Sequence, residues 1–173
     1  MSDAESRRIV LVRHAKADWP QVSDHERPLA ERGRKDAPVT GRKLADADIV
    51  PDLVVCSTAT RTRETFKLMV PELPTRPKTV YEERVYEASP GQLIALLEET
   101  PDEVRTLALV GHNPGVQALA EILAGESEPE AASRMAARGF PTAAYAVLTF
   151  TGPWKSLEPG VGTLVDYWAP GGE

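Results

Sequence analysis

The hydrophobic residues of this chain fall into short runs that alternate with longer amphipathic stretches. Three runs, at 9–12, 53–56 and 107–110, are almost continuously apolar and rich in β-branched residues. This pattern is typical of parallel strands that are buried on both faces of a sheet. Two later runs, at 144–150 and 163–168, alternate more regularly with polar residues. They predict strands that are more exposed or antiparallel.

Helices are predicted between these strands, and one further short strand is predicted at 79–81. Pro90 stands where a first helical turn would begin, and Pro38 lies inside the first predicted helix, where it predicts a break or a kink. The predicted helices cover 31–47, 60–68, the stretch that begins at Pro90, 114–123 and 130–138.

Strands that alternate with helices predict an α/β fold, in which a mostly parallel open sheet lies between two layers of helices. The 173 residues suit a single domain that spans positions 1–173, with residues 1–7 as a flexible tail. In such sheets ligands bind beyond the carboxyl ends of the strands. The first three strands end on Arg13-His14, on Ser57 with Arg61 shortly after it, and on His112. These side chains are therefore expected to converge.

Composition limits the kinds of partner. Lys and Arg number 20 against 26 Asp and Glu, which gives a net charge of −6. An acidic chain is a poor general binder of nucleic acid or of an anionic membrane, and no apolar run reaches the about 20 residues that span a bilayer. The single cysteine excludes an internal disulfide framework. We expect a cytoplasmic protein without nucleic-acid or membrane partners.

Two histidines at equivalent strand ends, with Arg13 and Arg61 nearby, would form a cationic pocket suited to phosphoryl transfer. A neutral imidazole is a competent nucleophile, and arginine forks neutralise and orient the oxygens of a phosphoryl group. A histidine at a single strand end is more commonly a surface or capping residue. Two of the 3 histidines at equivalent positions, however, favour a site.

The motifs around these residues resemble those of the histidine phosphatase superfamily, whose fold is phosphoglycerate mutase-like. The matching segments are Leu11-Val12-Arg13-His14-Ala15-Lys16-Ala17, Ser57-Thr58-Ala59-Thr60-Arg61-Thr62-Arg63-Glu64-Thr65 and Val110-Gly111-His112-Asn113-Pro114. The stretch Arg27-Pro28-Leu29, followed by Gly33, is similar to the SixA-type phosphohistidine phosphatase branch. Two departures stand out: Ala15 replaces a glycine and Thr58 replaces a proline.

The resemblance implies a role for each matching residue. His14 would be the nucleophile that is transiently phosphorylated, and Arg13, Arg61 and His112 would hold the transferred group. Asn113, Lys16 and Arg27 are further candidates for substrate binding. The implied activity is a phosphatase that needs no cofactor, most simply one acting on phosphohistidine in a protein.

The proton donor is open among three carboxylates, Asp18, Glu83 and Glu87. A leaving alkoxide needs a proton, whereas a leaving imidazole needs less help. Glu87 is favoured, because the loop ahead of the Pro90 helix resembles the acid-bearing region of the family.

Alternative functions remain at this point: a phosphomonoesterase or mutase that acts on small phosphate esters, or a module that docks a phosphorylated partner without turnover. A cysteine phosphatase is disfavoured because the interval from Cys56 to Arg61 is too short and Cys56 lies in an apolar strand. No spacing typical of a metal site occurs, so no metal is predicted. His25, among acidic residues, is predicted to be a solvated surface group.

Overall fold

The computed structural model describes residues 5–171 and contains one seven-stranded sheet with helices on both faces. Its strands are β1 (Ser6–Arg13), β2 (Leu53–Ser57), β3 (Lys78–Glu82), β4 (Thr106–Gly111), β5 (Ala124–Ser127), β6 (Tyr145–Thr151) and β7 (Gly162–Trp168). Its helices are α1 (Glu31–Asp46), α2 (Thr60–Met69), α3 (Pro90–Leu97), α4 (Gly115–Leu123) and α5 (Pro129–Arg138). The strand order is β3-β2-β4-β1-β6-β7-β5, and only β6 runs against the others.

Strand β1 shows how the apolar runs build two cores. Ile9 and Leu11 pack on the face that α3 and α4 cover, whereas Val10 and Val12 pack on the face that α1 and α2 cover. Successive side chains of a strand point to opposite faces, so a continuous apolar run is what a sheet covered on both faces requires. The predicted three-layer α/β architecture is confirmed.

The register of the central strands brings their carboxyl ends level. Arg13 of β1 pairs with Gly111 of β4, and Cys56 of β2 pairs with Val110 of β4. The residues that follow these positions therefore emerge side by side at one edge of the sheet.

The prediction that residues 1–7 form a flexible tail is wrong where it can be compared. Strand β1 begins at Ser6, and Arg7 is buried. Its guanidinium donates to the carbonyl oxygens of Asp102, at 2.6 Å, and Gly152, which makes burial of the charge tolerable. Residues 1–4 lie outside the described part of the chain.

Two other elements differ from the sequence prediction. Helix α1 runs unbroken through Pro38, because buried residues hold it on both sides of the proline. Ala37 packs with Ala15 and Leu29, and Leu44 packs in the core on one face of the sheet. Strand β5 was not predicted, since its sequence carries no apolar alternation; it pairs with β7 at the sheet's edge. Among the helices of residues 5–171, none is long and apolar enough to cross a membrane.

Candidate active site

The turn after β1 is fixed from several sides. The backbone N–H of His14 donates to the Gly111 carbonyl at 3.0 Å, and that of Ala15 donates to Thr65 Oγ1 at 2.9 Å. The methyl group of Ala15 is fully buried beside Leu29. Ala15 is not among the residues with positive φ, which explains why this position does not require glycine.

The His14 ring is held in one tautomer. Its Nδ1 lies 2.7 Å from the carbonyl oxygen of Ala15, which can only accept a hydrogen bond, so Nδ1 carries the hydrogen. The lone pair therefore resides on Nε2. Burial lowers the pKa of His14 to about 4; the hydrogen bond to Ala15 opposes this shift, and the charges of Arg61 and Arg13 add to it. The ring is accordingly neutral near neutral pH.

His112 lies next to His14, with ring centroids 5.4 Å apart. Its Nε2 is 2.8 Å from Ser57 Oγ, whereas Nδ1 is buried without a partner among residues 5–171. Burial and the neighbouring His14 lower the pKa of His112 to about 3. When the Ser57 hydroxyl donates to Nε2, the neutral ring carries its hydrogen on Nδ1. Nδ1 can then donate this hydrogen to a bound ligand.

Both arginines predicted for the site lie at this edge of the sheet. Arg13 donates from Nη1 to the Phe140 carbonyl at 2.9 Å, and its buried Nε has no partner in the described chain. Arg61, in the first turn of α2, is 7% exposed. Their charges act on His14, as its lowered pKa records. Arg61 and His112 line one cavity, and Arg13 donates to the same Phe140 carbonyl as Asn113, so these side chains lie at one edge of the sheet.

Arg61 forms an ion pair with Asp24, which was not predicted to be a site residue. Its Nη2 donates to Asp24 Oδ2 at 3.1 Å, and its Nη1 donates to the Asp24 carbonyl oxygen at 2.7 Å. The same carboxylate accepts from the Tyr86 hydroxyl at 2.5 Å and from Arg27 Nη1 at 3.1 Å. These donors, with Tyr86 first, hold the pKa of Asp24 far below its ordinary value.

His25 is not the solvated surface group that was predicted. It is half-buried, its Nε2 lies 2.9 Å from Thr58 Oγ1, and its ring meets the edge of Tyr86 with centroids 4.8 Å apart. Tyr86 in turn meets His112 at 5.5 Å. Thr58, one of the two residues that depart from the family motifs, thus anchors the Asp24–Glu26 turn over the site. Sequence spacing could not reveal contacts that only the folded loops create.

An open cavity of about 680 Å³ adjoins this cluster. Its wall includes Arg61, His112, Asn113 and Glu87, together with the amino-terminal turns of α3 and α4. His14 does not line the cavity and is 8% exposed, so it lies behind the first layer of side chains. The Asn113 amide donates to the Phe140 carbonyl and accepts from the Gln117 backbone, so it also shapes the start of α4.

The three candidate proton donors are placed differently. Glu87 is exposed on the cavity wall and has a positive φ of 60°. Asp18 is exposed and its carboxylate accepts from the Trp19 backbone, and Glu83 opens a short helical turn after β3; neither lines the cavity. The structure thus brings only Glu87 to the cavity.

The two basic candidates at the mouth also differ. Arg27 lies over the Trp19 ring, 3.3 Å from its centroid, and donates to the Asp18 carbonyl at 2.9 Å. Lys16 is exposed and does not line the cavity, although its backbone carbonyl accepts from Ala30 at 2.9 Å. Arg27 is therefore linked to Arg61 through the Asp24 carboxylate that both contact.

This edge of the sheet offers neither a reactive thiolate nor, among residues 5–171, a cluster of metal ligands. Cys56 is fully buried within β2, and burial raises the pKa of its thiol to about 12, so it does not supply a thiolate. Within residues 5–171, no group of three or more His, Cys, Asp or Glu side chains could hold a metal ion.

Comparison with known proteins agrees with the motifs. Residues 9–139 match the family model of the histidine phosphatase superfamily (branch 1). An uncharacterized protein of Mycobacterium tuberculosis strain H37Rv is 41% identical over 161 residues, which cover 92% of this chain and 99% of that protein.

Solved structures share the fold. A chain from Nakamurella multipartitia, provisionally named phosphohistidine phosphatase SixA, superposes with a TM-score of 0.84 at 30% identity and covers 98% of this chain and 99% of that one. A phosphoglycerate mutase of Plasmodium falciparum has a TM-score of 0.59 at 16% identity, with 96% of this chain and 91% of that one covered. The predicted phosphoglycerate mutase-like fold is confirmed.

Proposed function

Because the chain belongs to the histidine phosphatase superfamily and is SixA-like in structure, we propose that it hydrolyses phosphohistidine in a protein through a phosphorylated His14. The observation that carries this proposal is the hydrogen bond from His14 Nδ1 to Ala15, which leaves a lone pair on Nε2. A neutral ring with that lone pair is the state that attacks phosphorus.

In the first step, His14 Nε2 forms a bond to phosphorus while the bond between phosphorus and the substrate's nitrogen breaks. The electron pair of that bond leaves with the substrate imidazole, which takes up a proton. Arg61 and Arg13 neutralise the charge on the phosphoryl oxygens, and the orphaned Nδ1 of His112 donates to one of them. Catalysis of this kind depends mainly on positioning and charge.

In the second step, water attacks phosphorus and the bond to Nε2 breaks. The water loses a proton, inorganic phosphate departs, and His14 returns to the neutral tautomer. Its low pKa supports both halves of the cycle, because the free ring stays unprotonated and ready for the next attack.

Glu87 is our candidate for the residue that exchanges protons with the leaving group and the water. It is the one predicted carboxylate that lines the cavity. An imidazole leaving group needs less protonation than an alkoxide. Glu87→Gln should therefore slow hydrolysis of a phosphate ester more than hydrolysis of phosphohistidine.

A protein substrate is supported by the openness of the cavity wall, to which exposed Glu87 and half-buried Asn113 belong. We also propose that no cofactor is needed, since the cationic side chains already present neutralise the transferred group. The cytoplasmic location stays a prediction. Activity that is lost with EDTA and restored by a divalent ion would contradict cofactor independence.

The decisive experiment is a rapid quench that avoids acid, with a phosphohistidine peptide labelled on phosphorus. Label should appear on His14 in the wild-type protein and be absent from His14→Ala, whereas His25→Ala should still be labelled because His25 only supports the loop. Label on another residue would exclude this route. Phosphohistidine peptides should also show higher kcat/KM than sugar phosphates; the opposite order would indicate a small-metabolite phosphomonoesterase or mutase. Binding of the peptide without turnover would indicate a docking module.

A further inference from the structure

The carboxylate of Asp24 binds Arg61, the arginine that the proposed reaction needs to hold the phosphoryl group. Asp24 takes both terminal nitrogens of Arg61, one through its side chain at 3.1 Å and one through its carbonyl oxygen at 2.7 Å. A carboxylate and a phosphoryl group are the two partners that an arginine fork binds best, and they use the same donors. A phosphoryl group that accepts from the same Nη2 hydrogen must therefore take the place of the Asp24 carboxylate.

Arg61 and Asp24 differ in solvent exposure and in how firmly the fold holds them. The Arg61 side chain is 8% exposed, whereas that of Asp24 is 49% exposed. Asp24 belongs to a short turn, Asp24–Glu26, that lies outside the sheet, whereas Arg61 is built into α2. The carboxylate is thus the member that can swing out into solvent, where charged groups are well hydrated.

The pair also has a clear role while no substrate is bound. A guanidinium this deeply buried is costly without a neighbouring anion. Asp24 supplies that anion and is itself held by the Tyr86 hydroxyl and by Arg27. His25 fixes the turn through Thr58, so the backbone can stay in place while the carboxylate moves.

Resting on the proposed function, we infer that Asp24 is a built-in competitor for the phosphoryl site, which positions Arg61 in the empty protein and is displaced from it by the incoming anion. Asp24 is accordingly a positioning and selecting residue and does not touch the reacting atoms. Anions that bind arginine weakly are excluded, and inorganic phosphate is expelled after hydrolysis when the carboxylate returns. Neither the family resemblance nor the motifs around the catalytic candidates assign such a role to this turn.

The test is the affinity for inorganic phosphate, measured by isothermal titration calorimetry on the intact protein. Asp24→Asn keeps the shape of the side chain and removes its charge, so phosphate should bind roughly tenfold more tightly, as expected from the loss of one competing charge at contact distance. Glu26→Gln is the matched control: it removes the same charge from the same turn, where Glu26 is exposed and makes no side-chain ion pair among residues 5–171. Its affinity for phosphate should change by less than about twofold.

A second variant guards against misfolding of Asp24→Asn. Tyr86→Phe leaves the carboxylate in place but removes the hydroxyl that holds it at 2.5 Å, so phosphate binding should strengthen by about two- to threefold. If both variants bind phosphate no more tightly than the wild-type protein does, the inference is wrong. That result is expected when the Asp24 carboxylate only stabilises the loop. The titration requires no turnover. The labelling experiment on His14 therefore decides the proposed function separately.

Discussion

His14 and His112 are far apart in the chain, yet each follows one half of the register pair Arg13–Gly111 between adjacent parallel strands. The pairing of β1 with β4 therefore places the two rings at the same edge of the sheet, with centroids 5.4 Å apart. His14 is buried there and His112 is half-buried, and burial is the main reason that both have a low pKa. One backbone register thus determines both the geometry and the protonation state of the histidine pair.

The first prediction concerns the protonation of this pair. His14 has a pKa of about 4 and His112 of about 3, so both should remain neutral down to about pH 5. The histidine-dependent acid limb of kcat/KM should accordingly lie below about pH 5. NMR titration of the histidine rings gives the two values directly. A midpoint near 6.5 for His14 would contradict the assignment.

The second prediction concerns stability. In the unfolded chain the two histidines titrate near 6.5, and in the folded protein near 4 and 3. Between these values the unfolded state binds more protons, so stability falls as the pH falls from about 6.5 toward about 4. The free energy of unfolding should drop by on the order of 5 kcal/mol over that window, because each histidine contributes about 1.4 kcal/mol per pH unit over roughly two units.

Urea denaturation at both ends of the window measures this loss. His112→Gln removes one of the two groups and keeps a polar atom for Ser57. Its stability should therefore depend less on pH than that of the wild-type protein. An identical slope in both proteins would assign the loss to groups other than His112. Asp24 is not one of them, because its contribution disappears only below its ordinary value of 3.8, outside this window.

A third prediction concerns Thr65, whose hydroxyl holds the backbone of the turn that carries His14. Thr65 is fully buried; its Oγ1 accepts from the Ala15 backbone at 2.9 Å and donates to the Arg61 carbonyl at 2.7 Å. Thr65→Val keeps the volume but loses both bonds, which should lower the free energy of unfolding by about 2 kcal/mol and reduce kcat/KM. Thr79→Val, at a half-buried position in β3, is the control and should leave both nearly unchanged. If Thr65→Val and Thr79→Val had equal effects on stability and kcat/KM, Thr65 would have no special role in stabilising the site.

A fourth prediction concerns Gly33, which follows the Arg27-Pro28-Leu29 stretch. A methyl group added there would lie 2.2 Å from the carbonyl oxygen of Lys16, in the turn that carries His14. Gly33→Ala should therefore displace that turn, lower stability by about 1–3 kcal/mol and impair activity. Gly91→Ala is the matched control, since a methyl group there meets nothing within 4 Å. Thermal denaturation and kcat/KM compare the two variants, and equal behaviour would show that the close contact is unimportant.

The strand ends could be predicted because hydrophobic periodicity and strand direction are local properties. They are sufficient to predict that Arg13, His14, Arg61 and His112 lie at one edge of the sheet. Asp24 and Tyr86 were not predicted to be site residues, because they reach the site through a hydrogen bond between two loops that are distant in the chain. No periodicity or local spacing encodes such a contact. Strand β5 escaped for a related reason, because only its pairing with β7 makes it a strand.

The buried Cys56 has a consequence for the conditions under which the proposed chemistry can proceed. Phosphatases with a cysteine nucleophile need an accessible thiolate, and that sulfur is vulnerable to peroxide and to alkylating reagents. Here the sole sulfhydryl is fully enclosed and its pKa is about 12. The reaction would instead run on nitrogen, which those reagents attack far less readily. Turnover should therefore continue under oxidative stress that silences thiol-based enzymes.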